Sequence, residues 1–147
     1  RYKFSEPIGL KFDDQDGARK TVFMGSYGIG VSRVMGVIAE KFADEKGLVW
    51  PENIAPFKYY VIGIGDQGEE LATKLHDSYR KQILLDDRNL RPGEKFADAE
   101  LMGIPYRVVI SDKTLENQTV EITDRKTGEV KTISVDEFKK GLSLVAK

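Results

Sequence analysis

The feature that most constrains the fold is a regular alternation of apolar, strand-like runs and amphipathic segments after residue 58. The runs "YYVIGIG", "QILLDD" and "YRVVIS" have the β-branched and aromatic content of buried strands, and a hairpin pattern surrounds Lys126–Gly128. Between these runs, apolar residues recur at the spacing of a helix. The capping sequence "SVDE" indicates the start of a last helix. The order β-α-β-α-β-β-β-α predicts an α/β fold with a mixed β-sheet and three flanking helices. The expected strands cover 59–65, 82–87, 106–111 and the hairpin 119–135, and the expected helices cover 67–81, 92–102 and a segment from 134 onward.

The residues before this alternation have a different organisation. Residues 2–24 indicate strand, turn and strand, and the run Lys20–Met24 has the content of a buried strand. An apolar stripe predicts a helix over about 32–46. Two prolines make 51–57 a stiff connector. We therefore expect a first domain over 1–50, a linker over 51–57 and a second domain over 58–147, and the initial Arg suggests a piece of a longer protein.

Composition excludes several classes of function. The 23 basic and 24 acidic side chains give a net charge of −1, which argues against a general electrostatic grip on nucleic acid. The chain has no cysteine and one histidine, so we expect neither a disulfide scaffold nor a metal site. No apolar run approaches the roughly 20 residues of a membrane span. A soluble, cytoplasmic protein without membrane contact is the expectation.

One glycine pattern indicates a cofactor site. Gly63, Gly65 and Gly68 form a G-x-G-x-x-G pattern between a predicted strand and helix, and Asp86 follows about twenty residues later. However, acidic side chains crowd the first helical turn and would repel a pyrophosphate. A small dinucleotide-binding domain and a plain tight turn therefore both remain open.

A second glycine pattern lies in "MGSYGIGVSR", residues 24–33. Gly28 and Gly30 would leave one face of a predicted strand without side chains, where a flat ligand could lie against the backbone. Arg33 then falls in the first helical turn, where a cation opposes the helix dipole unless an anion binds there. The residues favour a phosphate-bearing ligand with a planar base, and the alternative is an Arg33 that simply points into solvent.

These residues carry a resemblance. "MGSYGIGVSR" resembles motif 3 of class II aminoacyl-tRNA synthetases, and "YKFS", "GLVWPENIAPF" and "LLDDRNLRPGEKFADAELMGIPYRVVI" resemble the bacterial-type prolyl-tRNA synthetases. The likeness covers nearly the whole chain in order and spacing. It implies that residues 1–50 are the C-terminal edge of the antiparallel catalytic domain, a strand-strand-helix remnant. It also implies that residues from 58 form the class IIa anticodon-binding domain of a proline–tRNA ligase.

The resemblance also implies roles and ligands. Arg33 would be the catalytic contact to ATP, and Gly28 and Gly30 would let the nucleotide approach. Ser26, which stands where many members carry cysteine, and Ser5 of "YKFS" would lie at the proline pocket. The substrates would be proline, ATP with Mg²⁺, and tRNA(Pro), and the full-length enzyme would be a homodimer. Because motifs 1 and 2 are missing, the chain alone is expected to be inactive in adenylation.

The expected anticodon reader is the charged segment after the second strand. Proline anticodons end in GG, and the edge of guanine offers two donors and one acceptor, which carboxylates and basic side chains can complement on splayed bases. A solvated salt-bridge network is the alternative interpretation, and a stand-alone tRNA-binding module is a further alternative for the whole chain. The candidate anticodon residues are Asp86, Asp87, Arg88, Arg91, Lys95, Asp98 and Glu100.

Overall fold

The computed structural model describes residues 1–145, and these divide into two compact units with the division after Val34. In the first unit, β1 (Lys11–Asp13) pairs with β2 (Arg19–Thr21) in an antiparallel hairpin. The acidic turn between them is closed by a hydrogen bond from the Gly17 amide to the Asp14 carbonyl at 2.8 Å. The predicted order of strand, turn and strand is confirmed, although each strand has only three residues.

The predicted strand over the glycine run is wrong. Residues 22–30 adopt no regular secondary structure, and Phe23, expected in a buried strand, is 64% exposed. The backbone of Met24 still exchanges hydrogen bonds with Arg1, at 3.3 and 2.5 Å. Among the described residues, no strand pairs with residues 25–30. An extended segment without a neighbouring strand lacks the ladder of hydrogen bonds that stabilises a sheet.

Helix α1 (Val31–Phe42) begins close to its predicted start and ends four residues before its predicted end. The reason is Asp44, whose carboxylate accepts hydrogen bonds from the amides of Lys46 and Gly47 at 2.9 and 3.1 Å. Such a local bond from side chain to backbone competes with helix continuation. The predicted domain division at 50 and 58 remains a prediction.

The second unit contains the predicted mixed sheet. Its strands are β3 (Tyr59–Ile64), β4 (Ile83–Asp86), β5 (Tyr106–Ser111), β6 (Thr119–Asp124) and β7 (Val130–Ser134). Their order across the sheet is β4-β3-β5-β6-β7. Strand β3 pairs in parallel with β4 and β5, and the remaining pairs are antiparallel. Within β3, Val61 lies opposite Leu85 on one side and Val108 on the other.

The three predicted helices are α2 (Asp66–Ser78), α3 (Pro92–Met102) and α5 (Val135–Val145). The connection from β3 through α2 to β4 runs in one direction along the sheet, and the connection from β4 through α3 to β5 runs in the opposite direction. Because both crossovers are right-handed, α2 and α3 lie on opposite faces of the sheet. A short helix that the sequence did not indicate, α4 (Asp112–Leu115), follows β5. Together these elements confirm the α/β fold.

Each face of the sheet has its own core. One cluster packs α2 and α5 against the sheet, with Leu75 and Phe138 beside Val61. The other packs α3, through Ala99, against Tyr60 and Ile62. The carboxyl ends of the parallel strands meet at one edge, where open α/β sheets place ligands. No helix over residues 1–145 is long and apolar enough to cross a membrane.

Candidate nucleic-acid interface

The loop after β4 lies at the carboxyl ends of the parallel strands, which we call the ligand edge of the sheet. Every residue from 87 to 94 is exposed, and α3 begins within this stretch at Pro92. Proline suits the first turn of a helix, since its missing N–H has no partner there in any case. At the other end, α3 stops before Gly103, whose φ of 70° suits a glycine after a helix end. We call residues 87–91 the β4–α3 loop.

Asp86, the last residue of β4, holds this loop through hydrogen bonds to Arg88. Its side chain is fully buried, and its two oxygens accept bonds from Arg88 Nε at 2.9 Å and Arg88 Nη2 at 2.8 Å. The Tyr60 hydroxyl donates a further bond to the same carboxylate at 2.7 Å. The hydrogen bonds from Arg88, followed by the one from Tyr60, lower the pKa of Asp86 to about 2. Asp86 is therefore ionised and fully engaged within the protein.

Arg88 is held between two carboxylates. Asp86 binds one edge of its guanidinium, and the Asp98 carboxylate on α3 binds Nη1 at 2.8 Å. The bonds to Asp86 and then to Asp98 raise the pKa of Arg88 further above its ordinary value. Despite these partners, 45% of the Arg88 side chain remains exposed. The structure brings these three candidate residues into contact, with Asp86 buried and Arg88 partly exposed, a difference that the sequence did not indicate.

Tyr60 is the member of this cluster that sequence reasoning missed. Burial, and then the bond to Asp86, raises the pKa of its hydroxyl, so the group stays protonated and donates. Alternation along β3 places Tyr60 on the α3 face of the sheet, and a buried tyrosine usually finds a partner for its hydroxyl. That signal was available in the sequence, but the partner lies 26 residues away.

Lys95 is also buried beneath the loop. It is 4% exposed, and its Nζ donates to the backbone carbonyl of Asp86 at 3.2 Å. A polar cavity of about 130 Å³ adjoins it, lined in part by Asp87 and Glu69. Lys95 thus fixes the end of β4 with one of its three N–H donors.

The remaining candidates are divided between two places. Asp87 and Arg91 are exposed on the β4–α3 loop, and the Arg91 amide donates to the Glu94 carboxylate at 3.2 Å. Glu100 instead lies near Lys46 and Arg107, at 3.5 and 3.8 Å. Residues two apart on a helix do not face the same way, so Glu100 is not joined to Asp98.

The G-x-G-x-x-G turn is filled by the protein itself. A Cβ on Gly68 would lie 2.4 Å from the Ile110 carbonyl oxygen, and one on Gly63 would lie 2.6 Å from the Glu69 Cα. Gly65 has a φ of 81° and faces the Asp112 carboxylate, which accepts a bond from the Gly68 amide at 3.0 Å. A protein carboxylate therefore occupies the place where a pyrophosphate would sit, and the glycines are explained by close packing.

The residues that resemble motif 3 are open to solvent in the first unit. Arg33 is exposed, and so are Gly28 and Gly30. A Cβ on Gly28 would meet nothing within 4 Å, whereas one on Gly30 would lie 3.4 Å from the Arg33 Cδ. The two serines differ, since Ser26 is exposed while Ser5 is buried and its hydroxyl donates to the Tyr2 carbonyl at 3.2 Å. Across residues 1–145, no group of three or more His, Asp or Glu side chains could hold a metal ion.

The comparisons with known proteins point in one direction. Residues 58–143 match a family model described as the anticodon binding domain. A proline–tRNA ligase of Persephonella marina is 43% identical over 142 residues, which is 92% of this chain and 25% of that protein. One of Levilactobacillus brevis is 44% identical over 151 residues, 99% of this chain and 26% of that protein. The chain thus spans about a quarter of the length of these relatives.

A solved structure agrees at the level of the fold. It is described as prolyl-tRNA synthetase from Cryptosporidium parvum complexed with L-proline and AMP, and it superposes with a TM-score of 0.73 at 24% identity. The likeness covers 97% of this chain and 33% of that one. Because the family model covers more than half of the chain, in the unit that carries the mixed sheet, the chain belongs to the anticodon binding domain family.

Proposed function

We propose that this chain is the part of a proline–tRNA ligase that carries motif 3 and the anticodon-binding domain, and that its β4–α3 loop recognises the anticodon of tRNA(Pro). The relatives support the enzyme class, and the family model supports the role of residues 58–143. The single observation that carries the anticodon role is the exposed loop with a fixed arginine at the ligand edge of the sheet.

The chemistry of the loop fits splayed guanines better than phosphates. Around Arg88, one guanidinium stands beside two carboxylates, so the local charge does not favour a polyanion. Asp87 and Arg91 are exposed and can reach a base edge, as an acceptor for N1 and N2 and as a donor for O6. Asp86 and Lys95 lie beneath the loop and hold its shape.

The test is a titration of the chain with anticodon stem-loop RNAs at fixed salt concentration. We expect tighter binding of a stem-loop with GG at the last two anticodon positions than of one with AA, because adenine lacks the guanine donors and acceptor. Each lost pair of hydrogen bonds is worth about tenfold in affinity at an exposed site. Equal affinity for the two RNAs would contradict the proposed recognition.

We propose further that the Arg33 region contacts ATP in the parent enzyme. The support is the exposed guanidinium beside the open backbone of Gly28 and Gly30, with Ser26 and Ser5 as the residues assigned to proline binding. ATP would bind as its Mg²⁺ complex, and no residue of this chain is assigned to the metal. The parent would be a cytoplasmic homodimer, as the resemblance implies.

Proline-dependent exchange of pyrophosphate into ATP tests this part. We expect no exchange from this chain alone, because it lacks motifs 1 and 2. In the intact ligase we expect Arg33→Ala to raise the KM for ATP and lower kcat, since a lost charge-assisted contact weakens both nucleotide binding and stabilisation of phosphate charge. Exchange by the chain alone, or an unchanged KM and kcat in the variant, would contradict the proposal.

The dinucleotide alternative loses its support from the glycine turn. Asp112 accepts the Gly68 amide bond, and the atoms around Gly63 and Gly68 leave no room for a ligand against the backbone. The stand-alone module is less favoured, because such a module has no use for the motif 3 segment before residue 35.

A further inference from the structure

We propose that Arg88 recognises an anticodon base with the flat face of its guanidinium rather than with its N–H edges, and that Tyr60 is the positioning residue that holds this face in place. The inference rests on the proposed function and adds a mode of recognition to it. It differs from the expectation that every basic side chain in the segment donates to the guanine acceptor.

Most of the N–H donors of Arg88 are already engaged within the protein. A guanidinium has five N–H donors, in a fork that reads guanine through two parallel bonds to O6 and N7. The Nε and Nη2 edge of Arg88 is taken by Asp86, at 2.9 and 2.8 Å. Its Nη1 is paired with Asp98 at 2.8 Å, and Nη2 also lies 3.4 Å from the Tyr60 hydroxyl. Because Nε and Nη2 donate to other groups and Nη1 is ion-paired, no edge of the guanidinium keeps two free N–H groups for a forked contact.

What remains accessible is the plane of the group. The side chain is 45% exposed, and because its N–H edges are engaged, a base can approach it over the face of the guanidinium. Arginine planes stack on aromatic rings and on nucleobases, and such stacking accepts any base. Leu90, whose amide donates to the Arg88 carbonyl at 3.0 Å, is 39% exposed and offers apolar surface to a base.

The plane is also fixed in advance. Its anchors come from three elements: Tyr60 on β3, Asp86 at the end of β4 and Asp98 on α3. Tyr60 touches no ligand in this scheme. Its hydroxyl donates to the Asp86 oxygen that binds Nη2, so it orients the carboxylate that orients the arginine. A side chain held in its binding geometry loses little conformational entropy on binding.

Electrostatics favour a base over a phosphate at this position. The side chains of Arg88 and Lys95 balance the charges of Asp86 and Asp98, so the cluster has no net positive charge and does not attract a phosphate strongly. A stacked base needs no net charge. The geometry and the charge therefore point to the same ligand class, an unstacked nucleobase.

The test is a double-mutant cycle between protein and RNA, with the whole 147-residue chain. Arg88→Lys keeps the charge and removes the plane. The first RNA is the GG stem-loop. In the second set of RNAs, 2-aminopurine, a base that lacks O6, replaces each guanine in turn. In the third set, an abasic site replaces each guanine in turn. Affinity is measured by anisotropy of an end-labelled RNA.

Stacking predicts that Arg88→Lys weakens the GG and 2-aminopurine RNAs by the same factor, about fivefold to a hundredfold. It also predicts little loss with the abasic RNA at the stacked position, because the base that the plane would contact is absent. If Arg88 reads the guanine edge instead, the variant would weaken the GG RNA by a clearly larger factor than the 2-aminopurine RNA, which keeps N7 but has already lost O6. That result would overturn the inference.

Two further variants test the positioning role and control for a general effect of replacing an arginine. Tyr60→Phe keeps the ring in the core and removes the hydroxyl, and we expect a smaller loss with the same base pattern as Arg88→Lys. A Tyr60→Phe chain with wild-type affinity for every RNA would overturn the positioning role. Arg80→Lys is the matched control, since Arg80 also pairs with an aspartate, Asp77, at 2.8 Å but lies in the turn that follows α2. It should leave all affinities unchanged.

The outcomes for the two proposals are distinguishable. If the wild-type chain binds GG and AA stem-loops equally, the proposed anticodon function fails, and this inference fails with it. If the wild-type chain discriminates but Arg88→Lys has no effect on any RNA, only the stacking inference fails.

Discussion

The buried carboxylate beneath the loop predicts a specific dependence of stability on pH. The pKa of Asp86 falls from an ordinary value of 3.8 to about 2 in the folded protein. A lowered pKa stabilises the folded state above the unfolded value, and that contribution disappears as the pH falls through the folded value. The shift corresponds to about 2 kcal/mol of unfolding free energy near neutral pH. About 1 kcal/mol of it should be lost by about pH 3, and nearly all by about pH 2.

The perturbation is Asp86→Asn, which removes the titration and keeps the size of the side chain. The free energy of unfolding is measured by urea titration, followed by fluorescence of Trp50, the single tryptophan. We expect the wild type to exceed the variant at about pH 6 and this gap to shrink by about 1 kcal/mol at about pH 3. Other carboxylates titrate in both proteins and cancel in the comparison.

The control is Asp87→Asn at the neighbouring exposed position. Its gap from the wild type at about pH 6 should be smaller than that of Asp86→Asn, because substitution of an exposed side chain costs little stability. If the Asp86→Asn gap is the same at both pH values, the carboxylate is not stabilised by Arg88 and Tyr60, and the structural basis of the fixed arginine is refuted.

Two predictions concern the glycine turn. Gly68→Ala should destabilise the chain by about 2 kcal/mol or more, because its Cβ would lie 2.4 Å from the Ile110 carbonyl oxygen, whereas Gly28→Ala should stay within about 0.5 kcal/mol because its Cβ meets nothing. Equal effects in urea titrations would contradict the packing explanation. Asp112→Ala should cost about 1 kcal/mol, since the Gly68 amide loses its acceptor at the start of α2, and Asp112→Asn should cost less because an amide oxygen can replace it. A more stable Asp112→Ala chain would show that the carboxylate is not a cap.

The sheet and its helices could be predicted because their signals are local and repeated. Apolar runs mark the buried parallel strands, and the proline and glycine that bound α3 appear where helix ends favour them. Helix α4 was missed because four residues are too few for a periodic pattern. The end of α1 was misplaced because one aspartate forms a local turn that competes with helical spacing.

The candidate site was predicted in composition but not in geometry. The sequence identified the charged segment after β4, yet it could not show that Asp86 and Lys95 are buried while Asp87 and Arg91 are exposed. That difference depends on where the segment passes the ligand edge of the sheet. The hydroxyl of Tyr60 was absent from the prediction because its bond to Asp86 joins two neighbouring strands. The prediction of a strand over the glycine run was wrong because strand formation depends on a pairing partner that the local sequence does not reveal.

The most direct test of the central claim is to map the RNA contact on the chain. Backbone amide resonances of the labelled chain would be followed by NMR as the GG stem-loop is added. We predict that the largest shifts cluster at residues 87–94 and along the start of α3, and that the turn at 63–68 changes little. Shifts concentrated at that turn, or on the β6–β7 hairpin, with an unperturbed β4–α3 loop, would contradict the account.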